Sequence, residues 1–234
     1  VVSIFVNPTQ FGPAEDYGRY PRDLPRDSRL CEEAGADVLF CPGEAEMYPA
    51  GYSVYVEETR LSAGLCGAFR PGHFRGVATV VTKLFNIVQP AVAVFGQKDV
   101  QQARVIEQMV RDLDFPVRIL VAPTRREPDG LAMSSRNQYL SPEERKEATC
   151  LYRALCLAQR LLDEGTTSAG VITGAMRELI RGAARAQIEY IEIVDERSLL
   201  PVGEIRGKAL AAMAIRLGRT RLIDNAVVSP SKPE

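Results

Sequence analysis

Residues 92–106 read VAVFGQKDVQQARVI, and the fold is decided in this stretch. A β-branched apolar run stops at Gly96, and Lys98 and Asp99 follow at once. Apolar side chains then recur at 105, 106, 109, 110 and 113, which is helical spacing. Strand, turn and helix in immediate succession are the unit from which parallel α/β sheets are built.

The same grammar extends outward. Val1–Val6 predicts a buried strand that ends at Asn7-Pro8. Residues 27–34 predict a short helix closed by Gly35, and ADVLFCP (36–42) a second short strand. GVATVVTKLFNIVQP (76–90) places apolar residues at 77, 80, 81, 84, 85 and 88, with Pro90 beyond them, which predicts a helix. AVAVF (91–95) and PVRILVAP (116–123) predict further buried strands. The alternation implies a parallel sheet with crossover helices, where ligands bind beyond the carboxyl ends of the strands.

Past residue 125 the pattern changes. Ser141-Pro142-Glu143-Glu144 combines a cap, a proline at the first helical position and a capping-box glutamate, and predicts one helix running to about Glu164. A second helix is expected over 168–182. Three short runs, IEYIEIVD, KALAAMAIRLG and TRLIDNAVV, suit a small antiparallel sheet. The expected organisation is therefore a parallel α/β domain over 1–124 and a small α+β domain over 125–234, joined by the loop 125–140.

Composition sets the limits. Of 234 residues, 46 % are apolar and 25 % charged, enough for a sizeable core. A net charge of −1 gives no basic field, so nucleic acid is not an expected partner. The apolar runs are far too short to span a bilayer, and a cytoplasmic setting is expected. The five cysteines form no CxxC and are odd in number, which predicts free thiols. The single histidine, His73, excludes a His-rich metal site. Because the chain opens on a strand-like run without Met, residues are expected before Val1.

Three loops carry the candidate chemistry. In Gly96–Asp99, a glycine can turn the chain tightly, the following helix offers unpaired N–H groups, and Lys98 supplies a charge suited to phosphate. Asp99 and Gln102 are either ligand contacts or merely an N-cap and its capping-box partner. In DGLAMSSRNQYLSPEER (129–145), Ser134, Ser135 and Arg136 fit a polyphosphate, or else belong to a solvated hinge. In VNPTQFG (6–12), Gln10 can read a hydroxy acid or an amine, or is a plain loop amide. His73, with Arg70 and Arg75 in FRPGHFRG, reads either as a loop residue near an anion or, more often for a lone histidine, as structural, and EDYGRYPRDLPRD as mostly a solvated loop.

VVSIFVNPTQFGPAEDYGRYPRDLPRD, RPGHFRGVATVVTKLFNIVQP, VFGQKDVQQ, DGLAMSSRNQYLSPEER and LGRTRLIDN, in this order and spacing, resemble the pantoate–β-alanine ligase (pantothenate synthetase) family over essentially the whole chain. The resemblance implies a nucleotidylyltransferase-type Rossmann domain, incomplete at its N-terminus, with a small α+β domain, in a homodimer. It implies ATP-dependent condensation of pantoate with β-alanine through pantoyl adenylate, releasing pyrophosphate and AMP, with magnesium accompanying ATP. Carried over by position, Gln10 and Gln102 contact pantoate, with Gln10 also near β-alanine. Gly96, Gln97, Lys98, Asp99, Arg125 and Met133–Arg136 contact ATP, and Lys98, Ser134, Ser135 and Arg136 stabilise the developing charge. Gln97 stands where the family commonly has Glu, and Arg125 where a small or medium apolar residue is usual. The family's His-x-Gly-His motif lies upstream of VVSIFVN. This chain is therefore expected to adenylate very slowly or not at all, the alternative being a non-catalytic ATP- and pantoate-binding fragment.

Overall fold

The computed structural model describes residues 1–13 and 15–230. In chain order, strand β1 (Val2–Ser3) runs parallel to β2 (Leu39–Phe40), and helix α1 (Leu24–Glu33) connects them. Two short helices, α2 (Glu44–Met47) and α3 (Cys66–Phe69), precede the long α4 (His73–Val88). Strand β3 (Val92–Gly96), helix α5 (Val100–Asp112) and strand β4 (Arg118–Ala122) form a second parallel unit, registered from Val92–Arg118 to Gly96–Ala122. Helices α6 (Pro142–Glu147), α7 (Cys150–Asp163) and α8 (Ala169–Arg181) follow. The antiparallel strands β5 (Ala186–Asp195), β6 (Ala209–Leu217) and β7 (Thr220–Val228) complete the order, with β6 in the middle.

The fold is thus mixed α/β, with parallel strand pairs first and a three-stranded antiparallel sheet last. The parallel strands pair two by two, and they are less buried than their sequence suggests. Val1–Val6 contributes only two strand residues, hydrogen-bonded to Val38 and Phe40, and Val1 and Val2 are exposed. In β3, Ala93 and Phe95 pack against α4 and α5, whereas Val94 on the other face is 65 % exposed. A strand with helices on one face buries every second side chain.

Local chemistry explains the helix ends. Asp23 accepts from the Arg26 N–H, so α1 begins before residue 27, and Gly35 closes it at φ +77°. The helix expected over 141–164 is two helices. The Thr149 hydroxyl donates to the Lys146 carbonyl at 2.8 Å, and this side-chain bond accompanies the break between α6 and α7. The helix expected over 168–182 is α8, capped by Ser168, whose hydroxyl accepts from the Val171 N–H.

Strand β6, read as ALAAMAIRL, is buried on both faces. Ala211, Met213 and Ile215 face α7 and α8 through Leu151, Leu155, Ile172 and Met176. Leu210, Ala212 and Ala214 face the first half of the chain, packing with Leu61, Phe74, Val100 and Val105. The period of two along one strand therefore serves two cores at once. All five cysteines are free thiols. Among the described residues no helix is long and apolar enough to cross a membrane. Of the polar tail SPSKPE, residues 231–234 lie outside the described residues.

Candidate functional site

A cavity of about 320 Å³ opens where β1 and β3 end. Gln10, Lys98, Asp99, Gln102, Met133, Ser134, Ser135 and Arg136 all line it. Three loops that are far apart in sequence thus meet at one place.

Gln10 sits on the turn Pro8–Gln10, built by its neighbours. Buried Asn7 caps the turn and donates to Gln10 Oε1 at 3.1 Å and to the Gly76 carbonyl at 3.0 Å. Its own Oδ1 accepts from Tyr48 at 2.7 Å. The Gln10 side chain is thereby oriented with its NH₂ free. At Gly76 a Cβ would stand 2.4 Å from the Thr9 carbonyl oxygen, so only glycine lets α4 approach this turn.

His73 is buried and holds the other side of the same turn. Arg70 can only donate, so His73 Nε2 accepts from Arg70 Nη1 at 3.0 Å, and Nδ1–H donates to the Gln10 carbonyl at 2.8 Å. Burial, with the adjacent Arg70 charge, pushes the imidazole down to about 4, so it is neutral at pH 7. Arg70 in turn forks onto Glu15, with Nε to Oε1 at 2.7 Å. Burial alone would raise the Glu15 carboxyl, but the hydrogen bonds and charge of Arg70 outweigh it and hold it below its ordinary value.

The stretch that announced the fold supplies Lys98 and Asp99 on a 3₁₀ turn, Gln97–Asp99, ahead of α5. Gly96 has φ −85°, an extended conformation open to any residue, with free space where a Cβ would sit. Its conformational freedom is not what makes this turn. Asp99 makes no side-chain cap on α5, so the capping-box reading of Asp99 and Gln102 is not realised. Among the described residues, Gln102 has no side-chain hydrogen bond, and the Lys98 ammonium has only Asp99 at 4.0 Å. Both therefore keep their polar ends for the cavity.

Gln97 turns away and donates to Asn225 at 3.1 Å, and Arg125 is exposed, so neither lines the cavity. The arginine that points inward is its neighbour, Arg126, paired with the buried Asp224 at 2.7 and 3.0 Å.

The loop 133–136 is latched onto the segment after β1. Arg136 forks onto Asp16 with two hydrogen bonds of 2.8 Å and lies over the Tyr20 ring. Burial opposes ionisation on both sides of this pair, and the mutual bonding wins: Asp16 is held below its ordinary value and Arg136 above its own. Ser135 donates to the Tyr20 hydroxyl at 3.0 Å, and Ser134 caps the turn that follows by accepting from the Arg136 N–H. The segment EDYGRYPRDLPRD is therefore part of the site's wall rather than a purely solvated loop. Glu15, Asp16 and Tyr20 escaped the sequence reading because their partners are remote in the chain, and Arg70 and Asn7 because their local bonds gain meaning only from the remote ones, to Glu15 and to the Gly76 carbonyl.

The model of the family Pantoate-beta-alanine ligase matches residues 1–227. The pantothenate synthetase of Moorella thermoacetica is 56 % identical over 228 residues, covering 97 % of this chain and 81 % of the relative. That of Thermotoga neapolitana is 57 % identical with the same coverage. The crystal structure of the Thermus thermophilus pantothenate synthetase superimposes with a TM-score of 0.95 at 51 % identity, covering 97 % of this chain and 83 % of that one. The Francisella tularensis pantoate-beta-alanine ligase, solved in complex with "Beta-gamma ATP and Beta-alanine", gives 0.77 at 35 % identity, covering 98 % and 80 %. With loops from three parts of its sequence converging on one polar cavity, and with this likeness along its length, the chain belongs to the pantoate–β-alanine ligase family.

Proposed function

We propose that the 320 Å³ cavity binds ATP with (R)-pantoate and joins pantoate to β-alanine through pantoyl adenylate. The observation that carries this reading is the meeting of Gln10, Gln102, Lys98 and Ser134–Arg136 in that one space. The pantoate carboxylate attacks the α-phosphorus, the bond to the β-phosphate oxygen breaks, and pyrophosphate leaves. The β-alanine amine then attacks the acyl carbon, AMP leaves, and the amine proton passes to solvent. The relative solved in complex with "Beta-gamma ATP and Beta-alanine" supports ATP and β-alanine as substrates here.

Each residue has a task suited to its chemistry. Gln10, steered by Asn7 and His73, and Gln102, whose side chain has no hydrogen bond among the described residues, hold pantoate. Lys98, Ser134, Ser135 and Arg136 stabilise charge that develops on the phosphates. Positioning supplies the rest, and no covalent enzyme intermediate is required. Arg136 then exchanges the Asp16 carboxylate for a phosphate. Gly96, Asp99 and the backbone of Gln97, whose side chain is engaged with Asn225, complete the ATP contacts, and Arg125 reaches the nucleotide from outside the cavity.

Magnesium comes with ATP in this reading. Asp99 is the carboxylate of the cavity lining, half-exposed and with Lys98 4.0 Å away, so it suits the hydrated shell of a phosphate-bound ion. The ion supplies charge neutralisation on the phosphates. A cytoplasmic homodimer, with a nucleotide- and pantoate-binding domain over 1–124 and a second domain from 125, belongs to the same proposal.

A second reading, a non-catalytic binder of ATP and pantoate, is favoured by one observation. His73 is buried and held neutral, with its one N–H spent on the Gln10 carbonyl and its other nitrogen on Arg70, so it is not poised to act as a general acid. Pantoate-dependent exchange of pyrophosphate into ATP separates the two. The complete gene product should exchange, and Lys98→Ala should lose about 3 kcal/mol or more of transition-state stabilisation. Nucleotide binding without exchange would favour the binder, and a loss below about tenfold would remove Lys98 from its role.

A further inference from the structure

Two consecutive residues of β7, Asp224 and Asn225, touch both loops of the site, and they line not the 320 Å³ cavity but an adjoining one that shares Arg70, His73, Lys98, Asp99 and Gln102 with it. Asn225 is 4 % exposed and spends its whole amide on one turn. Its Nδ2 donates to the Gln97 carbonyl at 3.0 Å and to the Lys98 carbonyl at 2.9 Å, and its Oδ1 accepts from Gln97 Nε2 at 3.1 Å. Asparagine is required by this pattern. An aspartate of the same shape would present oxygen to two carbonyl oxygens.

Asp224 reaches the other loop. Its side chain is fully buried and takes both ends of the Arg126 fork, as well as the Asn225 N–H at 2.8 Å. Arg126 also donates to the Gly130 carbonyl at 3.0 Å and lies 4.8 Å over the Tyr152 ring. Gly130, at φ +90°, rests so closely on that ring that a Cβ would meet it at 2.0 Å. Arg126 pairs with Ala132, and the Met133 N–H donates to the Arg125 carbonyl at 2.9 Å. The hairpin thus seated on Asp224 and Tyr152 leads directly into Met133–Arg136.

We propose that Asp224-Asn225 is a positioning pair that fixes the separation of the Lys98 turn from the Ser134–Arg136 loop, so that both address one triphosphate. The role assigned to Lys98 rests on the function proposed above. A buried ion pair adds little net stability when compared with apolar packing, but it defines geometry sharply, and a misplacement of about 1 Å at a reacting centre can cost about a hundredfold in rate.

The test is pantoate-dependent ATP–pyrophosphate exchange by the complete gene product, with Asn225→Ala, Lys98→Ala and the double variant compared. Asn225→Ala should lower kcat about tenfold to a hundredfold, with the KM of β-alanine in the full reaction unchanged. In the Lys98→Ala background the same change should cost less than about twofold, because its effect passes through Lys98. A purely structural role gives losses that multiply, which overturns the proposal, as does an Asn225→Ala rate within about threefold of the parent. If Asn225→Ala does not fold, Asn225→Ser takes its place, since it adds no charge, leaves a small polar group in the buried site and is too short to hold both carbonyls. If neither folds, the pair is structural and the proposal fails. Full exchange by Lys98→Ala would instead bring down the underlying functional reading, and this inference with it.

Discussion

His73 shows how one residue can organise a site without doing its chemistry. Its two nitrogens link Arg70 to the backbone of Gln10, and burial keeps the ring neutral. The unfolded chain takes up a proton near pH 6.5, and the folded chain only near pH 4. The stabilisation is fully present above pH 6.5 and is lost as pH falls from there toward 4, amounting to about 3 kcal/mol. His73→Gln offers the same donor and acceptor without titrating. Urea unfolding at pH 7.5 and 4.5 should show a smaller loss in this variant than in the parent, and equal losses would refute the assignment. At this scale the sequence is legible only in part. Lys98 announces itself by its place after a strand. Arg125 and Arg126 are adjacent and chemically identical in the sequence, and which of them turns inward is decided by Asp224, 98 residues away from Arg126.

The elements were most legible where their causes are local. Ser141 and Glu144 are three residues apart, and both halves of their capping box form, at 3.2 and 2.9 Å. Ser141→Ala should therefore cost about 1 kcal/mol, read as a lower urea midpoint with an unchanged m-value. A midpoint equal to the parent's would mean that α6 is held by its packing alone. The strand–turn–helix at 92–106 was legible for the same reason, whereas the exposure of Val94 was not. Burial of a strand depends on what lies across its faces, and an apolar run states only what the strand tolerates. The Thr149 break was equally hidden, since a threonine within a helical pattern carries no sign of where its hydroxyl will turn.

Across the whole molecule, β6 ties the two halves together. Its odd positions belong to the core of α7 and α8, and Leu210, Ala212 and Ala214 to a cluster with Leu61, Phe74, Val100 and Val105, while Arg216 is exposed. A division at 124/125 cuts straight through that second cluster. Thermal unfolding should accordingly be one transition, with calorimetric and van't Hoff enthalpies equal, and two resolved transitions would refute the coupling. This arrangement was not legible beforehand, because ALAAMAI states that both faces of β6 are apolar but not which helices cover them. It also limits how such a chain can be recombined. A C-terminal half transplanted from a distant relative would carry its own version of Leu210, Ala212 and Ala214, shaped to a different set of opposing side chains. Swapped at 124/125, the halves are not interchangeable cassettes, and a chimera inherits a working interior only if residues 61, 74, 100 and 105 travel with the strand they pack against.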